Sequence, residues 1–262
     1  MDRTILHCDC NSFFASVETL LDPSLAEGPT AVCGDPESRH GIILAKNEKA
    51  KAFGVQTAET IWQAKRKCPD LRLVAPHRSE YVKFSRKCNE LYLQYTDLVD
   101  PFGIDESFLD VTGSMHLFGS GEHIADELRR RMREEVGLTI SVGVSFNRAF
   151  AKLGSDYKKP DGTTVFSREN FKQRVWTLPA NTLLYVGKRA SDRLNRLGVR
   201  TIGELAACDP AFIHSILGKN GDLLLRYARG EDDEPVRSFY AEREVKSVGN
   251  SMTFAHNLLG AD

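Results

Sequence analysis

The sequence lacks the features that mark membrane, zinc-binding and secreted proteins. None of its apolar runs reaches the roughly 18 residues that a membrane span needs, and its first residues show no secretory signal pattern. The six cysteines form no Cys-x-x-Cys pair, which argues against a structural zinc site. The formal net charge is only −1, so any affinity for nucleic acid would have to come from local clusters of charge.

What is present is the composition of an ordinary globular protein. Of the 262 residues, 41% are hydrophobic and 27% are charged, which excludes disordered and collagen-like chains. The length allows one large domain or two smaller ones. Without a signal peptide we expect a cytoplasmic protein with reduced, mostly buried thiols, among them Cys68 and Cys88 on the apolar stripes of helices.

The spacing of apolar residues predicts an α+β fold, with several strands backed by two long helices. Polar residues predict a turn region over 34–41, and too few apolar residues follow 235 to form a core. Strands are predicted at residues 4–10, 31–33, 42–45, 98–104, 107–111 and 138–144. Helices are predicted near 13–20, 46–53, 57–68, 80–96 and 121–136, and short helices dominate from about 165 to 235.

Three acidic residues stand where apolar strands end. Asp9 closes the first predicted strand, and Asp105 and Glu106 lie between two others. A single acid is most often a solvated turn residue, and an Asp-Glu pair is expected about once in a chain of this length. If these strands are neighbours, however, three carboxylates converge at one edge of a sheet. Such a cluster is stable mainly around a hard divalent cation, and Mg²⁺ held this way serves phosphoryl transfer.

Four blocks of sequence then resemble the Y-family translesion DNA polymerases, most closely their bacterial UmuC/DinB branch. The blocks occur in the family's order and spacing, and the similarity extends over essentially the whole chain. They are CDCNSFFASVE at 8–18, AKNEKAKAFGV at 45–55, IDESFLD at 104–110, and VGVS through FAKL to KKPDG over 142–162.

The resemblance implies a palm with a mixed or antiparallel sheet backed by helices, small fingers and a helix-hairpin-helix thumb. It implies that Asp9 and Asp105 are shared ligands of two Mg²⁺ ions and that Glu106 holds the ion at the primer 3′-hydroxyl. The backbone carbonyl of Cys10 would be a further ligand. The implied reaction is attack of that hydroxyl on the α-phosphate of a dNTP, directed by a DNA template and tolerant of damaged bases.

The same resemblance assigns residues to the nucleotide. Phe14 aligns with the steric gate that excludes a ribose 2′-hydroxyl, and Lys159 aligns with a lysine that meets the triphosphate. Phe13 belongs to the same site, although plain core packing explains it equally well. Lys51 stands where relatives often have arginine, which replaces a bidentate fork by a point charge.

Two positions of this site depart from the family pattern. Glu48 stands where many relatives have tyrosine, and Ala45 where many have threonine. Both departures remove contacts to the triphosphate. Lys46, where some UmuC-like relatives carry arginine, is a candidate to compensate.

The resemblance divides the chain into palm (1–12 and 78–165), fingers (13–77), thumb (166–235) and a tether (236–262) to a little-finger domain that is expected to be missing. A sliding clamp is a candidate partner through that missing part, and no membrane partner is expected. Tyr185 replaces the usual first glycine of the thumb hairpin, so an irregular turn is expected there. The basic residues of the hairpin suit DNA backbone phosphates, although a solvated basic helix is the plainer alternative: Lys188, Arg189, Arg193, Arg196 and Arg200.

Two other functions remain open from the sequence. A nucleotide cyclase on a similar palm would turn over free triphosphate without DNA, but it gives no reason for the basic thumb. A DNA-binding accessory protein with weakened catalysis would bind duplex regardless of Mg²⁺. The intact Asp9, Asp105 and Glu106 argue against the accessory protein, whereas Glu48 and Ala45 favour it.

Overall fold

A computed structural model describes residues 2–35, 41–242, 244–250 and 254. The turn region predicted over 34–41 and the tether predicted over 236–262 therefore lie partly outside the described residues. Among the helices that are described, none combines the length and the apolar character needed to cross a bilayer. The chain divides into two compact units, the first formed by Met1–Asn11 and Lys87–Tyr240, the second by Ser12–Arg86 and Ala241–Asp262.

Strands and helices are mixed along the chain, which confirms the α+β class. The strands are β1 (Ile5–Cys10), β2 (Thr30–Cys33), β3 (Ile43–Lys46), β4 (Arg72–Val74), β5 (Val99–Pro101), β6 (Glu106–Asp110), β7 (Ile140–Ser145) and β8 (Thr163–Phe166). The helices are α1 (Phe13–Leu21), α2 (Glu48–Ala52), α3 (Ile61–Lys67), α4 (Arg78–Tyr92), α5 (Met115–Phe118), α6 (Gly121–Arg131), α7 (Arg148–Tyr157), α8 (Phe171–Arg174), α9 (Lys188–Arg196), α10 (Ile202–Ala207), α11 (Pro210–Leu217) and α12 (Lys219–Arg229).

The first unit is organised around a mixed sheet with the strand order β5-β6-β1-β7-β8. The pairs are antiparallel except β7 with β8, which is parallel. Strand β1 lies at the centre, and all six of its residues are buried. A central strand covered on both faces is expected to be almost continuously apolar. His7 and Asp9 break that pattern, and both point to the same face because strand side chains alternate.

Helix α7 packs on that face so closely that only glycine fits at the crossing. A Cβ on Gly143 would lie 1.9 Å from the Ala151 carbonyl oxygen, and Gly154 approaches Gly143 from the helix. The opposite face of the sheet is covered by α6 and the last turns of α4. There Gly121 fits against Leu6, and Asn89 accepts a hydrogen bond from Ser107 at 2.9 Å.

The boundaries differ from the sequence prediction in ways that local chemistry explains. Strand β5 ends at Pro101 rather than at residue 104, because the backbone N–H groups of Phe102 and Gly103 both bond to the Glu106 carbonyl in a turn. Helix α4 ends at Tyr92 rather than at 96. The helix predicted to continue to 136 is α-helical only to Arg131 and then forms a π-helical turn.

Four elements were not predicted at all, among them the four-residue helix α5. Strands β4 and β8 are only three and four residues long, too short to show a clear period. Helix α7 is short, and seven of its ten residues are buried, including Arg148 and Ser155. A helix buried around most of its circumference lacks the polar face by which sequence patterns are recognised.

Short helices follow the sheet, as the sequence pattern predicted, and share an apolar core with it. Phe150 of α7 and Phe166 of β8 pack in one cluster with Leu194, Ile202 and Leu224 from the helices α9, α10 and α12. After α12 the chain returns to the sheet.

The returning segment fastens helix α7. The carboxylate of Asp232 accepts a hydrogen bond from the Ala149 N–H at 3.0 Å, in the first turn of α7. Beside it, Arg148 forms a buried ion pair with Asp100 at 2.7 Å. Val236 is buried against Phe108 in the same region. These contacts hold the start of α7 in a fixed position.

The second unit contains a smaller sheet with the order β3-β2-β4 and the helices α1, α2 and α3. Strands β2 and β3 are antiparallel, and β2 and β4 are parallel. Its core is small and apolar: Ala31, Cys33, Ile43, Ala50, Val55, Ala64, Cys68 and Leu71. As expected, Cys68 and Cys88 are buried free thiols.

The close crossing of α7 over β7 predicts that a methyl group added at Gly143 destabilises the fold. Gly143→Ala should lower the free energy of unfolding by about 3 kcal/mol or more, because backbone atoms cannot move aside as a side chain can. Urea unfolding measures this loss. Gly113→Ala is the matched control, since its Cβ would meet nothing within 4 Å. Equal stability of the two variants would contradict the close approach.

Candidate active site

Two carboxylates face each other at the end of the central strand pair. In the antiparallel register of β1 and β6, Asp9 stands directly opposite Glu106. The strands are neighbours, as the sequence argument required. The side chain of Asp9 is 11% exposed and that of Glu106 is 19% exposed, so neither charge is fully hydrated. Two negative charges that are this poorly exposed to water are stable together only if positive charges lie close to them.

Two lysines from α7 and its C-terminal end supply that compensation. Lys152 Nζ lies 3.1 Å from Asp9 Oδ2 and 2.6 Å from Glu106 Oε2, and so bridges the two acids. Lys159 Nζ lies 2.9 Å from Asp9 Oδ2 and 2.8 Å from Asp156 Oδ1. Burial alone would lower the pKa of both ammonium groups, but the neighbouring carboxylates outweigh it and raise each pKa above its usual value.

Asp105 lies in the turn beside this pair. Its carbonyl oxygen accepts a hydrogen bond from the Cys10 N–H at 3.0 Å, which ties the turn to the end of β1. Burial, and then the negative charges of Asp9 and Glu106, raise the pKa of the Asp105 carboxyl to about 6. Among the three acids, Asp105 is therefore the one whose ionisation is disfavoured by burial and by the charges of the other two.

Glu106 responds in the opposite direction because cations surround it. Burial by itself would raise its pKa, but His7 and the Lys152 ammonium lower the pKa of Glu106 to about 2. His7 lies two residues before Asp9 on the same face of β1. Its Nε2 is 3.4 Å from Glu106 Oε2, and its Nδ1 is 2.8 Å from Ser155 Oγ.

The donor set at this edge suits a divalent cation. In the part of the chain that is described, His7, Asp9 and Glu106 form the group whose possible ligand atoms lie within 4.8 Å of one another. Two ammonium groups, those of Lys152 and Lys159, already lie within 3.1 Å of Asp9 Oδ2. The Cys10 thiol is on the other face of the sheet, 3.9 Å from the Cys88 sulfur. Any role of Cys10 as a ligand therefore falls to its backbone carbonyl.

Comparison with known proteins decides the family. Residues 8–156 match the model of the impB/mucB/samB family. The DNA polymerase IV of Acetivibrio thermocellus is 51% identical over 98% of this chain, and that of Halorhodospira halophila is 41% identical over 96%. The chain belongs to the Y-family DNA polymerases.

Solved structures of Y-family enzymes agree with this assignment. The fold superimposes on DinB from Sulfolobus solfataricus with a TM-score of 0.83 and 27% identity, covering 90% of this chain and 69% of that one. An insertion ternary complex of Dbh DNA polymerase gives the same TM-score. The chain spans 65% of the length of the Acetivibrio relative and 70% of the Halorhodospira relative. Y-family enzymes use divalent metal ions, which fits the carboxylate edge.

Phe14, which is expected from the sequence to be the steric gate, lies in the second unit. Phe14 is half-buried, and its ring stacks on Tyr81 with centroids 4.2 Å apart and planes 13° apart. The Tyr81 hydroxyl donates a hydrogen bond to the buried carboxylate of Glu18, which also contacts His77 at 2.8 Å. Phe13 is buried, in agreement with the plain packing alternative.

The cations predicted for the triphosphate are partly engaged by neighbours in the same unit. Lys46 Nζ donates to Thr57 Oγ1 at 3.0 Å, and burial and then Lys51 lower the pKa of Lys46. Lys51 forms an ion pair with Glu48 at 3.4 Å. Glu48, one of the departures from the family pattern, thus forms an ion pair with Lys51, which the resemblance assigned to the triphosphate.

The predicted thumb residues are gathered on and around α9, which begins after Gly187. Tyr185 takes a backbone φ of 68°, in the left-handed region that glycine favours, so the tyrosine adopts a conformation typical of the glycine it replaces. Arg193 donates to the Ile216 carbonyl at 2.8 Å. Three of the predicted basic residues, but not Lys188 or Arg200, line a groove of the first unit, which is formed by Arg189, Ala190, Asp192, Arg193, Arg196 and Leu217.

Sequence reasoning missed Lys152 and His7. Lys152 lies within a recognised block, and Lys159 follows two residues after the end of α7. The block as a whole could have drawn attention to a second cation for the acids. The alternation of β1 could likewise have placed His7 beside Asp9.

The raised pKa of Asp105 predicts a gain in stability when its charge is removed. The folded state holds the Asp105 proton up to about pH 6, above the ordinary carboxyl pKa, so its ionisation destabilises the fold as the pH rises through that window. Without divalent metal, Asp105→Asn should raise the free energy of unfolding at pH 7 by roughly 1–2 kcal/mol.

Urea unfolding with a chelator, repeated from pH 4 to pH 7, measures this effect. The gain should shrink toward pH 4, where the wild-type carboxyl is also protonated. Asp97→Asn, at an exposed position of the same unit, is the control. A gain that does not change with pH would show that charge is not its cause.

Proposed function

We propose that this chain is the catalytic part of a template-directed DNA polymerase that transfers a nucleotide from a dNTP to a primer 3′-hydroxyl. The observation that carries the proposal is the pairing of Asp9 with Glu106 across β1 and β6, with Asp105 in the adjoining turn. The relatives named DNA polymerase IV support it. Low fidelity and synthesis past damaged bases are proposed by extension from the family.

The carboxylates would hold two Mg²⁺ ions, with Asp9 and Asp105 shared between them and Glu106 toward the primer end. Ions bound there activate the hydroxyl and stabilise charge on the leaving pyrophosphate. The protein's own part is to hold the acids in place and ionised. Lys152 keeps Glu106 negative, and Lys159, which is partly exposed, can turn from Asp9 to the triphosphate.

The subdomains that we propose for this chain are those of the Y-family polymerases. We assign the palm to 1–12 and 78–165, the fingers to 13–77, the thumb to 166–235 and a tether to 236–262. Phe14 would exclude ribonucleotides, and Phe13 would support it. Lys46 and Lys51 would contact the triphosphate. The thumb would hold the primer-template backbone through Lys188, Arg189, Arg193, Arg196 and Arg200.

One observation favours a second candidate, a DNA-binding accessory protein with weakened catalysis. Lys51 is paired with Glu48, and Ala45 offers no hydroxyl, so grip on the triphosphate is reduced. A sliding clamp, by contrast, would be a partner of regions beyond those that this chain shares with its relatives.

Single-nucleotide primer extension with Mg²⁺ tests the proposal. Glu106→Ala and Asp105→Ala should each abolish templated addition, while binding of primer-template, followed by fluorescence anisotropy, stays nearly unchanged. Glu134→Ala is the matched control, since it removes an exposed glutamate of the same unit. Addition should require the template, which separates a polymerase from a nucleotide cyclase.

The other outcomes have definite meanings. Parallel loss of extension and of DNA binding in the Glu106 variant would contradict its catalytic role. Binding without extension in the wild-type chain would favour the accessory protein, and supplying the part of the Acetivibrio relative that this chain does not cover would show whether that part restores activity.

The stack of Phe14 on Tyr81 predicts the sugar selectivity. Phe14→Ala should admit ribonucleotides, because it opens the space that the ring denies to a 2′-hydroxyl. Incorporation of each ribonucleotide relative to its deoxy counterpart measures the change, and at least about a tenfold rise is expected for 1.4 kcal/mol of lost exclusion. Leu21→Ala, exposed on the same helix, is the control. Unchanged selectivity would remove the gate role.

A further inference from the structure

An exposed tryptophan on α3 has no part in the function proposed above. Trp62 is 66% exposed. The other tryptophan of the chain, Trp176, is half-buried and donates its indole N–H to the Ala228 carbonyl at 3.0 Å. A single exposed apolar side chain is ordinary on a protein surface, so exposure alone identifies nothing. The surroundings of Trp62 are more specific.

The direction of Trp62 is fixed by the way α3 is held. A capping box between Thr60 and Gln63 sets the start of the helix. Ala64 and Cys68 are buried in the core of the second unit, so this face points inward. Trp62 and Arg66, one turn apart, therefore share the outward face.

Arg66 and its neighbours make this outward face cationic. The Arg66 guanidinium lies over the Trp62 ring, 4.9 Å from its centroid. The last turn of α3 contains Lys65, Arg66 and Lys67, and the helix has no acidic residue. Lys67 is engaged by Glu59 at 2.5 Å and by the Gly54 carbonyl at 3.0 Å, so Lys65 and Arg66 supply the charge.

We propose that Trp62, Arg66 and Lys65 form a stacking platform for unpaired bases of single-stranded DNA. The strand in question is the template beyond the pair being copied, and this identification rests on the proposed polymerase function. The indole offers a flat face to a base, the stacked guanidinium extends it, and the cations meet the phosphates. Every base has such a face, so the platform accepts any template sequence.

The observations favour a single strand over other occupants. Paired bases inside a duplex cannot reach an indole ring, so a duplex would use only the cations. An acidic peptide would also use the cations but has no need of the flat ring with a guanidinium stacked on it. A protein partner at this surface would leave oligonucleotide binding unaffected by changes at Trp62.

The intrinsic fluorescence of the two tryptophans provides the first test. A short oligothymidylate should quench the wild-type protein and Trp176→Phe, because a base stacks on Trp62. Trp62→Phe should show no quenching. Quenching that persists in Trp62→Phe, or that is absent in Trp176→Phe, would overturn the proposal.

Affinity provides the second test, by fluorescence anisotropy with a labelled primer-template. Trp62→Ala should weaken binding of DNA with a long 5′ template overhang about tenfold, as expected for one lost base stack, and should leave a blunt duplex unaffected. Arg66→Ala should act in the same direction, and Arg66→Lys should lose less because it keeps the charge. Leu117→Ala, 70% exposed in the first unit, is the control.

The outcomes separate the platform from the proposed function. With an overhang of a single nucleotide, Trp62→Ala should extend a primer as fast as wild type. Normal extension together with unchanged affinity for a long overhang would overturn the platform and leave the polymerase standing. Equal losses for overhang and blunt DNA would also overturn it. Trp62-dependent binding without any extension would keep the platform and favour the accessory protein instead.

Discussion

The main constraint on the structure is the repulsion between acids that lie at one edge of a sheet and are only partly hydrated. The surrounding elements compensate this repulsion. Asp9 and Glu106 are fixed opposite each other by strand register, and Asp105 is held beside them by the turn. Backbone hydrogen bonds, rather than the carboxylates themselves, bring these charges together. The rest of the first unit provides what makes the arrangement tolerable, chiefly a helix that delivers Lys152 between the two facing acids.

That helix can do so only because glycines stand where it crosses the sheet. Gly143 and Gly154 let the backbones of β7 and α7 approach to a distance that no side chain would permit. A layer spaced by ordinary side chains would lift Lys152 away from the carboxylates. The two glycines therefore serve the same purpose as the two ammonium groups, because the close approach that the glycines allow brings the ammonium groups to the carboxylates.

The sequence revealed the acids and most strands because these signals are local. A buried run followed by an acid identifies Asp9 without knowledge of the fold, and the family blocks placed Asp105 and Glu106 at the same site. The role of Lys152 depends on α7 crossing the sheet, which is a contact between distant segments and leaves no period in the sequence. The same holds for the stack of Phe14 on Tyr81. By contrast, the spacing of Trp62 and Arg66 was local and could have been noticed.

The fastening of α7 by the segment after α12 has a mechanical meaning. Asp232 caps the helix and Val236 is buried, so the chain is anchored before it continues. Such an anchor isolates α7 mechanically, because a force applied to the chain beyond it is borne by these contacts and is not passed on to the helix. The anchor extends to Phe239, whose N–H bonds to the Asp97 carbonyl at 3.0 Å, so movement of the polypeptide beyond that residue would leave the lysines, and the acids they neutralise, undisturbed.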